Sequence, residues 1–519
     1  MAESPAHWGL LSKKGTTEQS EAAGASDASA SPPQGAQGLP RSTKGVPPGC
    51  LAPKHTKRRN TTVALVVMTV DALMRASGGT LLWSSRAGDG SDISTTIVWS
   101  SPAMNGTLGL VYIGSRDGHL YAFDEGSGQQ RFNATTFGYV DSSPRLSGDM
   151  VVIGCSGNKS VCAFDSLDGA LVWRTTLSTS TENGLVDSSP AISPDGATVA
   201  SADDDGSISL LDAARGDLLW RSPPEHTSPE FGFEYSSFAS PSFTASGDTI
   251  FAASGGLDLS GYGTGNGSVF SLSTLDGQRR WTYTLDAING SVQSSPSLTP
   301  DEAAVVFGSW DGSIYKLSAL DGSLLWKMST GGRVDANARF SPDNATMYMG
   351  SWDYCLYALE VATGALKWKS CTDGVVRSSA APSSEGSAVL VGSADGFLYC
   401  FDAAEGSIRW KAYCGKSDHE YGVRSTPLLS SDEAAVFVGS GDGRLYAFAT
   451  GFGSRPADRW TTRNILSSAV GGDTVFLALL VTVCAVLRCW RYDAKGSTDE
   501  ALLDNPVSNS RLPERKALP

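Results

Sequence analysis

The chain is poor in histidine, and its cysteines lack the spacings that metal and redox sites use. Only five of 519 residues are histidine, and none of the nine cysteines forms a Cys-x-x-Cys pair. A zinc site or a thiol redox motif is therefore not indicated. Gly-x-Ser-x-Gly, His-Glu-x-x-His and phosphate-binding-loop motifs are also missing. The sequence thus predicts no catalytic residue, no metal ligand and no cofactor, and favours a protein that is not an enzyme.

Positive charge is the second scarcity. The chain has 40 Lys and Arg against 54 Asp and Glu, a formal net charge of -14. Nucleic-acid binding draws most of its affinity from basic residues that neutralise phosphates, so this balance argues against a nucleic-acid partner. The 58 glycines suit many short strands and tight turns better than long helices.

One phrase of β-rich sequence recurs eight times. A first run ends near Gly-Ser-x-Asp-Gly, an alternating run such as His119–Asp124 follows, and a glycine turn then leads to an aromatic residue. The first runs begin at Gly109, Met150, Thr198, Thr249, Ala304, Thr346, Ala388 and Ala435. Asp-Gly between two alternating runs indicates a tight β-hairpin. With the Ser-Ser-Pro-like segment that precedes each copy, every unit contains four strands. The sequence therefore predicts an all-β, eight-bladed β-propeller of four-stranded antiparallel blades.

An aromatic anchor closes each unit. The anchors are Trp83, Phe132, Trp173, Trp220, Trp281, Trp326, Trp368 and Trp410. At this repeated position, we expect them to pack between neighbouring blades, because a blade buries its two faces only against its neighbours. The eighth unit ends without a clean anchor of its own. Trp83, from the N-terminal end, and Trp460 are rivals for that place.

The Asp-x-x-x-Gly-x-x-x-Trp rhythm, as in Asp165–Trp173, resembles the pyrroloquinoline-quinone (PQQ) repeat family over about residues 80–450. That family includes quinoprotein alcohol dehydrogenases and BamB-type propellers. The resemblance implies the propeller fold. For a dehydrogenase it also implies a calcium ion, an Asp base and, in many members, adjacent cysteines over the quinone. This sequence has no adjacent cysteines, so a PQQ-dependent oxidoreductase is kept only as an alternative.

The ends of the chain differ from the repeats. Residues 1–60 are predicted to be a disordered leader with a basic end, and residues 61–78 a signal peptide or an uncleaved signal anchor. The propeller follows over 79–450, then a linker over 451–468. The apolar run 469–487 is predicted to be a transmembrane helix, and Arg488 and Arg491 behind it favour a cytosolic tail over 488–519. Within this tail, Asp499, Leu502 and Leu503 form a candidate dileucine sorting signal.

Acceptor sites for N-glycosylation favour a secretory or plasma-membrane protein whose propeller is lumenal or extracellular. Besides Asn60, the candidate acceptors are Asn105, Asn133, Asn158, Asn266, Asn289 and Asn344. The alternative is that these sequons arise by chance in a Ser- and Thr-rich chain.

Cysteine placement favours the same compartment. Cys155 and Cys162 flank one predicted hairpin turn, and Cys355 begins a strand that Cys371 would face, so both pairs are candidate disulfides. Free buried cysteines are the alternative. Cys400 and Cys414 fit a pair less well.

The fourth repeat carries the clearest departure from the pattern. Its anchor Trp281 lies 61 residues after Trp220, and the extra residues fall in 222–235 and 255–267. Both insertions are expected on one face, because they join strand ends on the same side. The candidate contact residues there are Phe231, Phe233, Tyr235 and Tyr262, with Trp310 and Trp352 from the next two blades. Exposed aromatics are frequent binding anchors, although these could instead fold over their own loops. We therefore predict a non-enzymatic, membrane-anchored binding or scaffold propeller that presents this face of blades four to six to a protein or glycan partner. A lumenal sensor that signals through a partner is a further alternative.

Overall fold

The computed structural model describes residues 77–88, 97–155, 159–177, 186–203, 206–222, 239–255, 267–286, 290–415 and 422–452. These ranges consist of strands and the turns that join them. They contain no helix long and apolar enough to cross a membrane. The predicted spanning run 469–487, the leader, the signal segment and the C-terminal tail lie outside the described residues.

The described strands are two to six residues long. In chain order they are β1 (Leu81–Arg86), β2 (Ala103–Asn105), β3 (Leu110–Ser115), β4 (His119–Asp124), β5 (Gln130–Thr135), β6 (Arg145–Ser147), β7 (Met150–Cys155), β8 (Ser160–Asp165), β9 (Leu171–Thr176), β10 (Ala191–Ile192), β11 (Thr198–Ala202), β12 (Ile208–Asp212), β13 (Leu218–Arg221), β14 (Ser242–Phe243), β15 (Thr249–Ser254), β16 (Ser268–Ser273), β17 (Arg279–Thr284), β18 (Ser297–Leu298), β19 (Ala304–Ser309), β20 (Ser313–Ser318), β21 (Leu324–Ser329), β22 (Arg339–Phe340), β23 (Thr346–Gly350), β24 (Cys355–Glu360), β25 (Leu366–Cys371), β26 (Ala381–Pro382), β27 (Ala388–Gly392), β28 (Phe397–Asp402), β29 (Ile408–Tyr413), β30 (Leu428–Leu429), β31 (Ala435–Ser440) and β32 (Arg444–Ala449).

The strands form eight antiparallel four-stranded sheets, which confirms the predicted propeller. Blades one to seven each use four consecutive strands, from β2–β5 to β26–β29, with the first strand innermost. From the inside outward, blade eight has the strand order β30, β31, β32 and β1. The N-terminal strand β1 therefore supplies its outer edge. In that pair Trp83 lies opposite Ala447. The strand of Trp83 therefore closes the ring, and the rival Trp460 lies outside the described residues.

The Ser-Ser-Pro-like segments link the blades around the central axis. In each described link, the backbone N–H of the second residue of the Ser-Ser-Pro-like segment donates to the side chain at the same position in the next blade. Seven links are described, at 2.7–3.0 Å, and they join Ser101, Ser143, Ser189, Ser240, Ser295, Asn337 and Ser379, with Thr426 donating to Ser101. A small polar side chain recurs here because each blade must satisfy the backbone donor of its neighbour.

The aromatic anchors join the blades near the outer edge. Each anchor lies on an outer strand and packs against the turn glycine of the next blade, as Trp281 does against Gly322. Seven indoles also donate their N–H to a backbone carbonyl of that next turn, at 2.7–3.3 Å. Phe132 has no N–H to donate but packs on Gly169 in the same way. The anchors thus lie where the repeat pattern puts them, between neighbouring blades.

A β-bulge precedes every anchor, and the sequence pattern does not reveal it. Trp410 lies opposite Cys400, whereas Ile408 lies opposite Phe401, so Arg409 is the extra residue. The same irregularity occurs once in the outer pair of each blade. A bulge re-aims the side chains that follow it. Here it turns the anchor toward the next blade.

Candidate functional site

The turns between second and third strands and the connections between blades emerge on the same side of the propeller, because the strands within each blade are antiparallel. We call this side the hairpin face. The opposite side carries the turns between third and fourth strands, such as the one that contains Leu320. The predicted contact residues Trp310 and Trp352 belong to the hairpin face.

One position in the blade connections places polar and aromatic side chains at the axial end of this face. It follows a valine that is fully buried in seven blades and directly precedes the Ser-Ser-Pro-like segment. The described residues at this position are Trp99, Asp141, Asp187, Gln293, Asp335, Arg377 and Arg424. The buried valine and the hydrogen-bonded serines hold the backbone on both sides, so the backbone of the residue between them is fixed at this end of the hairpin face.

Asp335 is the centre of one group of side chains, which we call the Trp310 cluster: Trp310, Arg333, Asp335, Trp352 and Arg377. The indole N–H of Trp310 donates to one carboxylate oxygen of Asp335 at 2.5 Å, and that of Trp352 donates to the other at 2.8 Å. The two indole rings lie 6.4 Å apart. One carboxylate therefore positions two aromatic rings from neighbouring blades.

Two arginines cover these rings. The Arg333 guanidinium lies 4.3 Å from the ring centre of Trp310 and 5.2 Å from that of Trp352. Arg377 lies 3.9 Å from the Trp352 ring centre, and its Nε lies 3.9 Å from Asp335. Burial raises the pKa of the Asp335 carboxyl, against the opposing effects of Arg377, the two indoles and Arg333. The cluster is a half-buried aromatic and cationic surface around one carboxyl group.

A second group, the Trp99 cluster, lies where blades eight, one and two meet. It comprises Trp99, Arg116, Tyr139, Asp141 and Arg424. Arg116 makes a two-pronged ion pair with Asp141, with N–O distances of 2.6 and 2.5 Å. Its guanidinium lies 3.5 Å from the ring centre of Trp99, and that of Arg424 lies 4.1 Å from it. Burial alone would lower the pKa of Arg116, but Asp141 and Asp187 raise it.

Of the six predicted contact residues, the structure brings Trp310 and Trp352 together in the Trp310 cluster. Both are half-buried and hydrogen-bonded. Phe231, Phe233, Tyr235 and Tyr262 lie outside the described residues. The repeat pattern did not indicate Asp335, Arg333 and Arg377, nor any residue of the Trp99 cluster. Most residues of the two clusters occupy one sequence position, between the buried valine and the Ser-Ser-Pro-like segment, and this position could have located them.

Comparison with known proteins identifies the family. A family model described as "Outer membrane protein assembly factor BamB" matches residues 67–256, 204–370 and 265–495, which together cover most of the chain. The chain belongs to the BamB family. The BamB protein of Yersinia pestis is 31% identical to it over 111 residues, which are 21% of this chain and 28% of that protein. The aligned stretch thus spans about a quarter of that relative's length.

Solved structures agree with the BamB-family assignment at the level of fold. BamB from Moraxella catarrhalis has a TM-score of 0.53 at 17% identity, covering 71% of this chain and 99% of that one. Quinohemoprotein alcohol dehydrogenase from Comamonas testosteroni has a TM-score of 0.58 at 15% identity, covering 74% and 78%. A europium-containing methanol dehydrogenase has a TM-score of 0.55 at 14% identity, covering 71% and 93%. BamB and two dehydrogenases therefore share this fold, and the absence of catalysis in this BamB-family chain stays a prediction.

The structure describes the four cysteines of the predicted disulfides and some of the predicted glycosylation acceptors of this BamB-family propeller. Cys155 is bonded to Cys162, and Cys355, at the start of β24, is bonded to Cys371, at the end of β25. Cys400 and Cys414 are free and buried.

Three glycosylation acceptors fall within the described ranges. Asn133 and Asn344 are exposed, and Asn105 is half-buried, with its side-chain oxygen accepting the N–H groups of Thr107 and Leu108. The acceptors Asn60, Asn158, Asn266 and Asn289 lie outside these ranges, as do Asp499, Leu502 and Leu503. Within the described part of the chain, no group of three His, Cys, Asp or Glu side chains is placed to hold a metal ion.

Proposed function

We propose that this BamB-family propeller is a non-enzymatic scaffold that binds a protein partner through the hairpin face of blades four to six. The observation that carries the proposal is the Trp310 cluster, in which Asp335 holds two indoles and two arginines stack on them. Tryptophan and arginine are the residue types that contribute most to protein–protein affinity. The family description, an assembly factor, also fits a protein that acts on other proteins.

Preorganisation gives the cluster its value as a contact site. A side chain that is already held by hydrogen bonds loses little conformational freedom when a partner binds. The Trp310 and Trp352 indoles are fixed by Asp335 from below, while Tyr354 in the same turn as Trp352 is 50% exposed. The sequence predicts that Phe231, Phe233, Tyr235 and Tyr262 of the two insertions belong to the same contact area.

A photo-crosslinking experiment tests the partner site. A photoreactive phenylalanine analogue is placed at Tyr354 on the hairpin face and, as a matched control, at Leu320, which is 87% exposed on the opposite face. We expect a discrete protein adduct from position 354 and none from position 320. Adding Trp310→Ala and Trp352→Ala should lower the yield at position 354 by about tenfold or more.

The same experiment separates folding from binding. Trp310→Phe with Trp352→Phe keeps the aromatic rings but removes the hydrogen bonds to Asp335, and thermal unfolding shows whether each variant is folded. Equal adduct yields from positions 354 and 320, or an unchanged yield in a folded double-alanine variant, would contradict the proposal. An adduct with a glycan and no protein would favour the glycan partner instead.

We further propose that the propeller is lumenal or extracellular and is anchored by a transmembrane helix over 469–487, with residues 488–519 in the cytosol. The exposed acceptors Asn133 and Asn344 and the two cystine pairs support this topology, because glycosylation and stable disulfides belong to oxidising compartments. Glycosidase treatment of the full-length protein should increase its gel mobility, and reductant should change it further. No shift in either treatment would require a topology with the propeller in the cytosol.

A further inference from the structure

The hairpin turn of blade six differs from the other described hairpins in its last residue. Tyr354 has a φ of +73° and is exposed on the hairpin face. In five other blades a glycine with a φ between +78° and +86° stands at this position: Gly118, Gly206, Gly312, Gly396 and Gly443. A left-handed backbone conformation is costly for a residue with a bulky side chain. The protein therefore carries backbone strain at the point where it presents Tyr354.

The end of the outer strand β25 holds this turn in place. The carbonyl oxygen of Tyr354 accepts hydrogen bonds from the backbone N–H of Thr372, at 2.8 Å, and from the Thr372 hydroxyl, at 3.1 Å. Cys371, directly before Thr372, is bonded to Cys355, directly after Tyr354. The disulfide therefore ties the strained turn to the strand end that supplies its hydrogen bonds.

The repeat does not need a disulfide at this position. The equivalent pairs of facing residues in blades two and four are joined only by a hydrogen bond between two hydroxyl groups, at 3.2 Å for Ser160 and Thr176 and 3.1 Å for Ser268 and Thr284. In blade six the covalent bond occurs beside the turn that also carries Trp352 of the Trp310 cluster. Its placement therefore indicates a role in that turn beyond general stabilisation of the blade.

The two disulfides of the propeller differ in their access to a reductant. Cys371 is exposed on the outer strand, whereas its partner Cys355 is buried. Cys155 and Cys162 are both fully buried. Thiol–disulfide exchange begins when a thiolate reaches one sulfur of the bond, so its rate depends on that access. Cys371 offers an accessible sulfur, and the Cys155–Cys162 pair does not.

We propose that the Cys355–Cys371 disulfide is a thiol-exchange site that controls the partner-contact turn of blade six. A thiolate of a dithiol reductant bonds to Sγ of Cys371, the bond between the two cysteines breaks, and Cys355 leaves as a thiolate that takes up a proton. The second thiol of the reductant then displaces Cys371. The reductant becomes a disulfide, and the protein gains two electrons and two protons.

Reduction has a structural consequence because the turn is strained. Without the cross-link, opening of the turn relieves the backbone strain at Tyr354, and the exposed ring loses its fixed position next to Trp352. A contact side chain that is no longer held loses conformational freedom when a partner binds, which weakens binding. This regulation rests on the protein-binding function proposed above for the hairpin face.

Differential alkylation of the folded, full-length protein tests the exchange step. Dithiothreitol is the dithiol, and peptide mass spectrometry reports the state of each cysteine. We expect the Cys355–Cys371 bond to open at least about tenfold faster than the Cys155–Cys162 bond, which serves as the internal control. Equal rates for the two bonds, or faster opening of the buried pair, would overturn the proposal.

Amide hydrogen exchange tests the coupling between the disulfide and the turn. Selective reduction should speed the exchange of residues 351–356 by about tenfold, while the equivalent hairpin of blade seven, 393–398, should not change. Tyr354→Gly is the matched control, because glycine adopts the same φ without strain, and its turn should stay protected after reduction. Unchanged exchange in the reduced wild type, or an equal increase in Tyr354→Gly, would overturn the proposal.

Photo-crosslinking from position 354 separates this regulation from the partner site. Reduction, or the double substitution Cys355→Ser with Cys371→Ser, should lower the adduct yield by about tenfold in a protein that thermal unfolding shows to be folded. If the double variant does not fold, selective reduction of wild type makes the same comparison. An adduct yield that reduction leaves unchanged would overturn the regulation and leave the partner site intact. Absence of an adduct from the oxidised protein would contradict the partner site, whereas alkylation and hydrogen exchange would still decide the exchange step and its effect on the turn.

Discussion

The backbone N–H of Thr426 donates a hydrogen bond of 2.9 Å to the hydroxyl oxygen of Ser101, 325 residues earlier in the chain. This contact joins blade eight to blade one and is one of the seven described hydrogen bonds that link neighbouring blades near the axis. On the outside, the same closure is made by β1, which pairs with β32 and brings Trp83 within hydrogen-bonding distance of the Glu125 carbonyl, at 3.0 Å. The first and last parts of the propeller are thus joined both near the axis and at the outer edge.

Replacing Trp83 with alanine should weaken the closure strongly. The side chain packs against Gly128, lies 5.7 Å from the ring of Phe437 and donates to Glu125. Losing a large aromatic side chain from such a contact costs about 3 kcal/mol of unfolding free energy, measurable by urea denaturation. Trp460→Ala is the control and should have little effect. A larger loss for Trp460→Ala than for Trp83→Ala would argue against closure by β1.

The contact between anchor and turn glycine can be separated from the glycine's backbone conformation. Gly322 has a φ of +73°, and an added Cβ would lie 2.6 Å from the Trp281 ring. Gly196 has the same φ of +73°, but an added Cβ would meet nothing within 4 Å. Gly196→Ala should therefore lose about 1 kcal/mol from strain alone, and Gly322→Ala should lose about 1–3 kcal/mol more from overpacking. Equal losses in urea denaturation would mean that the indole moves aside freely.

Asp335 predicts an unusual dependence of stability on pH. Burial raises the pKa of its carboxyl above the unfolded value of about 4. Its stabilising contribution is therefore fully present below the unfolded pKa and is lost as the pH rises through the folded pKa. Asp335→Asn keeps an acceptor for only one of the two indoles and cannot ionise, so its melting temperature relative to wild type should rise as the pH increases above about 4.

Asp343→Asn is the matched control for this titration, with the opposite sign. The hydroxyl of Ser341 and the N–H of Ala345 lower the pKa of the exposed Asp343 carboxyl. Its contribution is present above the unfolded pKa and is lost as the pH falls through the folded pKa. Asp343→Asn should therefore be less stable than wild type at pH 7 and approach it in acid. Parallel pH profiles for the two variants would contradict the assigned directions.

The cysteines should divide into two chemical classes. Burial raises the pKa of Cys400 to about 12 and also raises the pKa of Cys414, so both stay as unreactive thiols at pH 8. Iodoacetamide should label them only after unfolding in urea, as seen by peptide mass spectrometry. The bonded pair Cys355–Cys371 closes a 16-residue separation, and its replacement by two alanines should cost about 3 kcal/mol. Labelling of Cys355 without reductant would contradict the pairing.

The fold was predictable because its signal repeats. Each unit carries the same hairpin residues and the same anchor, and eight copies of a four-stranded unit that cannot bury its own faces leave few architectures other than a ring. The opposition of Cys355 and Cys371 was predictable for a similar reason, since a hairpin of known turn sets its own register.

The candidate site was predictable only in part. Trp310 and Trp352 stand in hairpin turns that the repeat locates, so their face follows from strand direction. Asp335 belongs to a connection between blades, 25 residues from Trp310 and 17 from Trp352. No local pattern shows that its carboxylate receives both indoles.

By itself, the sequence determined the number of blades, the strand order within each blade and the positions of the anchors, because these depend on periodicity and turn chemistry within about 45 residues. Only the tertiary structure decided that β1 closes the ring, that a bulge turns each anchor toward its neighbour, and that Asp335 accepts hydrogen bonds from both Trp310 and Trp352. These features arise from contacts between blades, where residues far apart in the chain meet, and the residues of one blade do not encode them.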